Sequence, residues 1–251
     1  MIGKKLTQTA EVSAMRYASL CEGWQHRFDQ ALNDKHFGYA DHITRVVADC
    51  YALAETFLAD ERDDIARTIA EIASDAHQKT LSEIESVDSA EMTPTALAHL
   101  SEMERYVADE LIAQIHRDIA LVRRQLHKIQ LEVASMVRAR GLQERAALIE
   151  YRINNSENLK FMFHDRYARK WSSKKFVRAM WRHSLLATYN EIVMLTLADH
   201  GIGRAAVMGQ GGYMQSIALD GSQELDSYQD VSTEIFHPNT DAYLAREPAD
   251  V

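Results

Sequence analysis

The sequence predicts a mainly α protein with three parts: an N-terminal antiparallel helical bundle with a long spine helix, a small C-terminal α+β unit, and an irregular acidic arm. Ten glycines and three prolines are few for 251 residues, so little interrupts long helices. Apolar residues recur every three or four positions up to Gly201, as in amphipathic helices. Beyond Gly201 short alternating runs lie between glycines, which is typical of strands. We place the domain boundary so that residues 1–153 form the bundle and 154–251 the α+β domain with its arm.

The first helix is predicted over residues 12–32, because its apolar side chains are three or four apart. They are Met15, Tyr17, Leu20, Trp24, Phe28 and Leu32. A second helical region follows Asp41, a suitable N-cap residue, and ends near Ser86. The acidic run DERDD at residues 60–64 favours two helices here, or one bent helix.

The spine helix is predicted over residues 96–140, after the small, polar linker SVDSAEMTPT. Its apolar positions alternate strictly between spacings of three and four from Ile119 onward, which indicates a heptad seam. At about 1.5 Å per residue the helix is on the order of 60 Å long. It must therefore pack antiparallel on its neighbours, supercoil with another chain, or bridge two bodies. Gly141 is the expected residue type for its end.

The remaining elements are shorter. A helix is predicted over residues 143–153, then a loop at 154–158 and a strand-like or irregular lead-in, LKFMFHDRYARKW. A long helix follows over residues 173–199. Candidate strands are AAVMG, YMQSIAL and STEIF, and GQGG at 209–212 is interpreted as the turn between the first two.

Charge is distributed unevenly along the chain, whose net charge is -9. Residues 137–183 contain twelve Arg and Lys against four acids, whereas the segment after Leu219 has eight acids and one Arg. This asymmetry indicates a basic surface that meets an acidic partner or phosphate, or else a well-solvated helix face. The candidate contact residues are Arg138, Arg140, Arg145, Lys170, Lys174 and Lys175.

Catalytic, metal and membrane signatures are not visible in the sequence. The eleven histidines form no HExxH motif, GQGG lacks the Lys and Ser or Thr of a phosphate-binding loop, and no serine lies in GxSxG. Cys21 and Cys50 have no metal-binding spacing, and we interpret them as small buried or half-buried side chains. No apolar run is long enough for a membrane span, and the N-terminal residues lack a signal-peptide core. We therefore expect a non-enzymatic protein of a cytoplasm-like compartment, without metal, cofactor or membrane.

Residues 165–201 are the one stretch whose order points toward a function: DRYARKWSSKKFVRAMWRHSLLATYNEIVMLTLADHG. Arg182 and Asn190 are eight residues apart, so they share one face of the predicted helix. A buried arginine needs acceptors, and the natural ones are Asp165 and the backbone carbonyls of the small sheet that follows. We interpret Arg182 and Asn190 as organisers of the C-terminal domain.

This stretch resembles the core of the phage minor capsid and head-morphogenesis proteins of the Mu F-like group, mainly over residues 161–203. By position, Asp165, Arg166, Arg169 and Trp171 match the family's lead-in, and Arg182 its helix arginine. Tyr189 and Asn190 match its aromatic-asparagine pair, and Gly201 its helix-ending glycine. Two departures are His183, where the family has threonine, and Ala168, where the family has glycine.

The resemblance implies a structural virion protein of a tailed phage, present in the host cytoplasm during assembly. It would lie in the head interior or at the portal or neck, aid head assembly and genome packaging or delivery, and be oligomeric in the virion. Its partners would be portal, capsid or neck proteins, or packaged DNA reached through the basic patch. One alternative is a head-to-tail adaptor that forms a ring under the portal. Another is an ADP-ribosyltransferase-like enzyme or toxin, a class with which the group shares its fold.

Overall fold

The structure is a computed structural model that describes residues 2–35, 37–39, 41–85, 91–155, 159–165, 167–221 and 225–248. It is mainly helical with a small C-terminal antiparallel sheet, so the predicted fold class is confirmed. In these ranges the helices are α1 (Ile2–Asn33), α2 (His42–Glu83), α3 (Pro94–Arg140), α4 (Glu144–Asn154), α5 (Ser173–Asp199) and α6 (Tyr228–Ile235). The strands are β1 (Met162–His164), β2 (Lys170–Ser172), β3 (Arg204–Gly209), β4 (Gly212–Ala218) and β5 (Tyr243–Ala245).

The structure divides into two compact units. The first, here called the sheet unit, consists of Met1–Ser13, Arg62–Glu110 and Val177–Val251. The second, here called the hairpin unit, consists of Ala14–Glu61 and Leu111–Phe176. The four points of division lie within α1, α2, α3 and α5, so each of these helices contributes residues to both units. The boundary at residues 153 and 154 stays a prediction.

Helix α1 is longer than the sequence predicted, and α2 is one helix rather than two. Helix α1 begins ten residues early, because Leu6 and Ala10 extend its buried stripe, whereas Met15 is 55% exposed, contrary to expectation. The DERDD run does not break α2. Its inward-facing acid, Glu61, is 2% exposed and forms an ion pair with Arg16 Nε at 2.7 Å. This ion pair offsets the cost of burying a carboxylate.

Helix α3 matches the predicted spine, with its apolar seam buried at Leu100 and from Val107 to Val133. It begins with proline at its first position, where no intrahelical N–H bond is lost. Thr93 Oγ1 accepts a bond from Ala96 N at 3.4 Å, so this side chain caps the helix. Gly141 follows with φ +68°, a left-handed conformation that glycine adopts without steric cost.

The sheet of the sheet unit has the strand order β4-β3-β5, with both pairs antiparallel. The β3–β4 turn lies at Gln210 and Gly211, within the predicted GQGG turn. The prediction of a strand at STEIF was wrong, because these residues lie in α6 and the following turn. The local cause is a capping box, in which Ser227 and Asp230 satisfy each other's backbone N–H groups and start a helix.

The acidic segment after Leu219, expected as an irregular arm, contains α6 and β5 in its described part. Strand β5 pairs with β3 in the register Ala206↔Ala245, Val207↔Leu244 and Met208↔Tyr243. Leu244 is fully buried and Ala245 is 6% exposed. This segment therefore forms part of the core of the sheet unit.

Candidate functional site

Residues 165–169, here called the Asp165 loop, join β1 to β2 in the hairpin unit. Asp165 Oδ1 accepts bonds from the backbone N–H groups of Tyr167 and Arg169, both at 2.9 Å. Its Oδ2 accepts bonds from Arg169 Nε at 2.7 Å and Trp171 Nε1 at 3.2 Å. Partial desolvation opposes ionisation, but these bonds to Arg169, Tyr167 and Trp171 outweigh it and lower the pKa of Asp165 to about 2. The carboxylate therefore holds the loop closed over the ordinary pH range.

Ala168 in this loop has φ +59°, in the left-handed region. Its N–H donates to Asp165 O at 2.9 Å, which fixes the tight turn. A side chain disfavours this conformation and glycine does not. The backbone at Ala168 therefore has the shape for which glycine is the better residue. Arg166, the other lead-in arginine, lies outside the described residues.

Aromatic contacts fix one face of the hairpin within the hairpin unit. The ring of Phe163 meets Phe176 edge-on, with centroids 5.3 Å apart. The guanidinium of Arg117 lies 5.2 Å from the first ring centre and 5.1 Å from the second. Phe163 pairs with Trp171 across the hairpin, so both side chains point to this same face.

Arg182, on α5, is held in the sheet unit and is 5% exposed. Its Nε donates to Thr7 Oγ1 at 2.9 Å, and one terminal nitrogen donates to Thr240 O and to Asp241 Oδ1, the latter at 3.3 Å. Burial lowers the pKa of Arg182 and Asp241 opposes that shift, so the guanidinium stays charged and paired. Asp165, one of the predicted acceptors, was wrong, because its two oxygens accept bonds from Tyr167, Arg169 and Trp171. The acid at Arg182 is Asp241.

Asn190 and Tyr189 bind the same C-terminal segment. The amide oxygen of Asn190, fully buried, accepts a bond from Leu244 N at 2.9 Å. The ring of Tyr189 meets Tyr243 edge-on at 6.0 Å. Lys79 Nζ lies 3.3 Å from Tyr189 Oη and 4.7 Å above the ring of Tyr243. Strand β5 is therefore held by β3 through its backbone and by α5 through Asn190 and Tyr189.

The end of α5 follows the predicted pattern. Gly201 has φ +70°, and its N–H donates to Ala198 O at 2.9 Å. Ile202 N donates to Leu197 O at 2.9 Å, so the last turn of the helix is closed by the residues that follow it. This turn leads directly into β3.

The six basic candidates all lie in the hairpin unit, but their surroundings differ. Arg138, Arg145, Lys170 and Lys175 are exposed, and Lys174 is half-buried. Arg140 forms an ion pair with Glu150. Five of the six, Arg140 included, therefore present their side chains to solvent.

A buried polar cluster in the hairpin unit escaped the sequence reasoning. Asp118 is 3% exposed and accepts bonds from Tyr17 Oη at 2.8 Å, Gln114 Nε2 at 3.1 Å and Ser173 Oγ at 2.9 Å. Burial raises the pKa of Asp118, against the effect of these donors. One pattern in the sequence could have indicated this cluster: Gln114 and Asp118 are polar residues on the apolar, buried face of α3, beside Ile115 and Ile119.

Across residues that the structure describes, no group of three or more His, Cys, Asp or Glu side chains could hold a metal ion. Within the same ranges, no helix has the length and apolar character needed to cross a membrane. Comparisons with protein families, with characterised proteins and with solved structures find no match.

Proposed function

We propose that this chain is a structural virion protein of a tailed phage, a minor capsid or head-morphogenesis component at the head interior or the portal and neck. Its role is to aid head assembly and genome packaging or delivery. The starting point is the resemblance of residues 161–203 to the Mu F-like group.

The observation that carries the proposal is the left-handed backbone at Ala168, with φ +59°. The group has glycine at this position, and glycine is the residue that this conformation favours. Gly201, the second glycine of the resemblance, has φ +70°. Residue order alone does not require such backbone shapes, so they support a likeness of local structure at both ends of the stretch.

The matched side chains support a structural role because their bonds stabilise the fold. Asp165 accepts bonds from Arg169 and Trp171, and these bonds close the loop. Arg182 and Asn190 bind the C-terminal segment.

The exposed basic residues of the hairpin unit favour partners with negative charge. In a phage head these are acidic surfaces of portal, capsid or neck proteins and the phosphates of packaged DNA. The protein works as one of several copies in the virion.

Quantitative mass spectrometry of purified virions and proheads tests the proposal, with the portal protein as internal standard. We expect the chain in both particles, at a low or variable copy number. A copy number equal to that of the portal indicates a head-to-tail adaptor instead. Absence from both particles overturns the proposal.

A second assay addresses enzymatic chemistry. Purified protein is incubated with NAD labelled on its ADP-ribose part and with extracts of the host cell. We expect no labelled product above that of heat-denatured protein. Label transferred to any acceptor by the folded protein indicates an ADP-ribosyltransferase and contradicts a purely structural role.

A further inference from the structure

We propose that the β1–β2 hairpin binds a nucleic-acid strand, with Tyr167 stacking on a base or sugar and with Arg169 and Lys170 contacting phosphates. The biological partner, the packaged genome, rests on the proposed function. The binding surface itself rests on the geometry of residues 162–165 and 167–172.

The register of the hairpin separates its two faces. Phe163 and Trp171 pair on one face of the hairpin, the face on which Phe163 contacts Phe176 of α5. His164 and Lys170 pair with each other one position away, so they point to the opposite face, and both are exposed. The outward face of the hairpin is therefore polar and basic.

The loop at the tip adds an aromatic surface. Tyr167 is 64% exposed. The guanidinium of Arg169 lies 5.2 Å from the centre of its ring, and the Arg169 side chain is itself 65% exposed. A solvent-facing ring beside a guanidinium suits a base, which stacks on aromatic faces, and the phosphate next to it.

The acid of the tip does not repel phosphate strongly. Asp165 is the only acid between residues 160 and 178. Its carboxylate receives four hydrogen bonds, and its side chain is 19% exposed. Lys160 and Lys175 nearby in sequence are exposed, so positive charge dominates this segment.

The exposed ring favours nucleic acid over an acidic polypeptide as the partner. Lysine and arginine alone satisfy carboxylates, and a protein strand of acidic residues offers nothing flat for Tyr167 to stack on. The closed Asp165 loop also holds the ring and guanidinium in place before binding, which lowers the entropy cost of association.

The test measures binding of the full chain to a fluorescein-labelled single strand of about 16 nucleotides, the upper site size of one binding domain, and to the matched duplex. Tyr167→Ala should weaken binding to the preferred form about tenfold, since one base loses its stacking partner. The control is Tyr39→Ala, which removes a tyrosine of the same unit that is 58% exposed. We expect the Tyr39→Ala variant to bind the nucleic acid with wild-type affinity.

The charge contribution is measured by repeating the titration over a range of salt concentrations. Lys170→Ala should make the slope of log affinity against log salt shallower by about 0.7 for single strands or 0.9 for duplex. Lys128→Ala, which removes a lysine from α3 of the same unit, should leave the slope unchanged. Circular dichroism of each variant checks that the helices remain folded.

Three outcomes overturn the hairpin proposal: no DNA binding by the wild type, equal affinities of Tyr167→Ala and Tyr39→Ala, or displacement of DNA by polyglutamate as readily as by unlabelled DNA. The virion measurement separates these from failure of the proposed function. A protein found in virions that fails the DNA assay loses only the hairpin proposal. A protein absent from virions that binds DNA through Tyr167 keeps the hairpin site and loses the proposed function.

Discussion

Two arginine–aspartate pairs, one in each unit, differ in burial. In the hairpin unit Arg169 and Asp165 are 2.7 Å apart, with 65% and 19% of their side chains exposed. In the sheet unit Arg182 and Asp241 are 3.3 Å apart, with 6% and 42% exposed. The shorter pair lies where water competes for both charges, so it contributes less to stability. The longer pair involves a guanidinium that has left water, so losing its partners is costly.

The two pairs also differ in the length of chain that they join. Arg169 and Asp165 are four residues apart and shape one turn. Arg182 reaches Thr7 and Asp241, 175 and 59 residues away. A local pair of this kind stabilises a surface shape, whereas a distant one stabilises the fold of a unit. The following substitutions test that distinction, beginning with the largest expected effect.

Arg182→Ala should destabilise the protein by about 3 kcal/mol, the low end of the range for a broken buried pair, because Asp241 is partly hydrated. The C-terminal segment after His237 should become sensitive to protease, since Thr240 and Asp241 lose their donor. Limited proteolysis and chemical denaturation measure both effects. Arg182→Lys should rescue only part of the loss, because an ammonium group cannot reproduce the planar fork.

The matched control for this change is Arg169→Ala, which removes the exposed arginine of the other pair. We expect a markedly smaller change in denaturation midpoint. Equal losses of stability in the two arginine variants contradict the view that burial of the guanidinium, rather than the N–O distance, determines how much each pair stabilises the protein.

Asn190→Ala should cost about 2 kcal/mol, because the buried N–H of Leu244 is left without its acceptor. Hydrogen exchange at that amide should accelerate by more than the global loss of stability explains. Ser184→Ala is the control, because its hydroxyl is fully buried on the same helix but donates only to Met180 O of its own helix. If both variants exchange alike at Leu244, Asn190 is not what holds β5.

Asp165→Asn should have a smaller effect that depends on pH. The pKa of Asp165 is lowered from 3.8 to about 2 in the folded protein, so its carboxylate adds stability above pH 3.8. That contribution is lost as the pH falls from 3.8 to about 2, so wild type and variant should converge there. Thermal unfolding from pH 2 to 6 measures the difference, and a constant gap across this range argues against the ionised loop.

Ala168→Gly should have the smallest effect, a gain of about 0.5 kcal/mol or less. Glycine removes the cost of a left-handed alanine but loses more backbone entropy on folding. Ala146→Gly, in the exposed part of α4, should instead lose about 1 kcal/mol. Thermal denaturation distinguishes the two signs, and a loss at both positions shows that the loop does not favour glycine.

Much of the helical architecture could be predicted from the sequence because it depends on local periodicity. The seam of α3 and the span of α5 follow from apolar spacing, and Gly141 and Gly201 mark where helices end. The choice between one helix and two at α2 could not be made from the sequence, for a non-local reason. Glu61 is neutralised by Arg16, which lies 45 residues earlier, and no local pattern indicates that partner.

The candidate site divides in the same way. The contacts of Asp165 lie within six residues, so a sequence can suggest them. Asp241, the partner of Arg182, is one acid among eight in its segment, and nothing in its neighbourhood marks it. Strand β5 is three residues long, too short for an alternating pattern to be recognised. It forms because β3 pairs with it and Asn190 accepts a bond from its Leu244 N–H.

The assembly of the sheet unit from three separate chain segments has a consequence for the order of folding during synthesis. All of the hairpin unit is outside the ribosome once residue 176 has emerged from the exit tunnel, so its core can form early. Arg182 binds Thr7 on one side and Thr240 and Asp241 on the other, so the sheet unit waits for residues near position 245. When a ribosome stalls before that point, Arg182 and Asn190 of α5 are exposed, because their C-terminal partners have not yet been synthesised. Such a form is suited to recognition by chaperones.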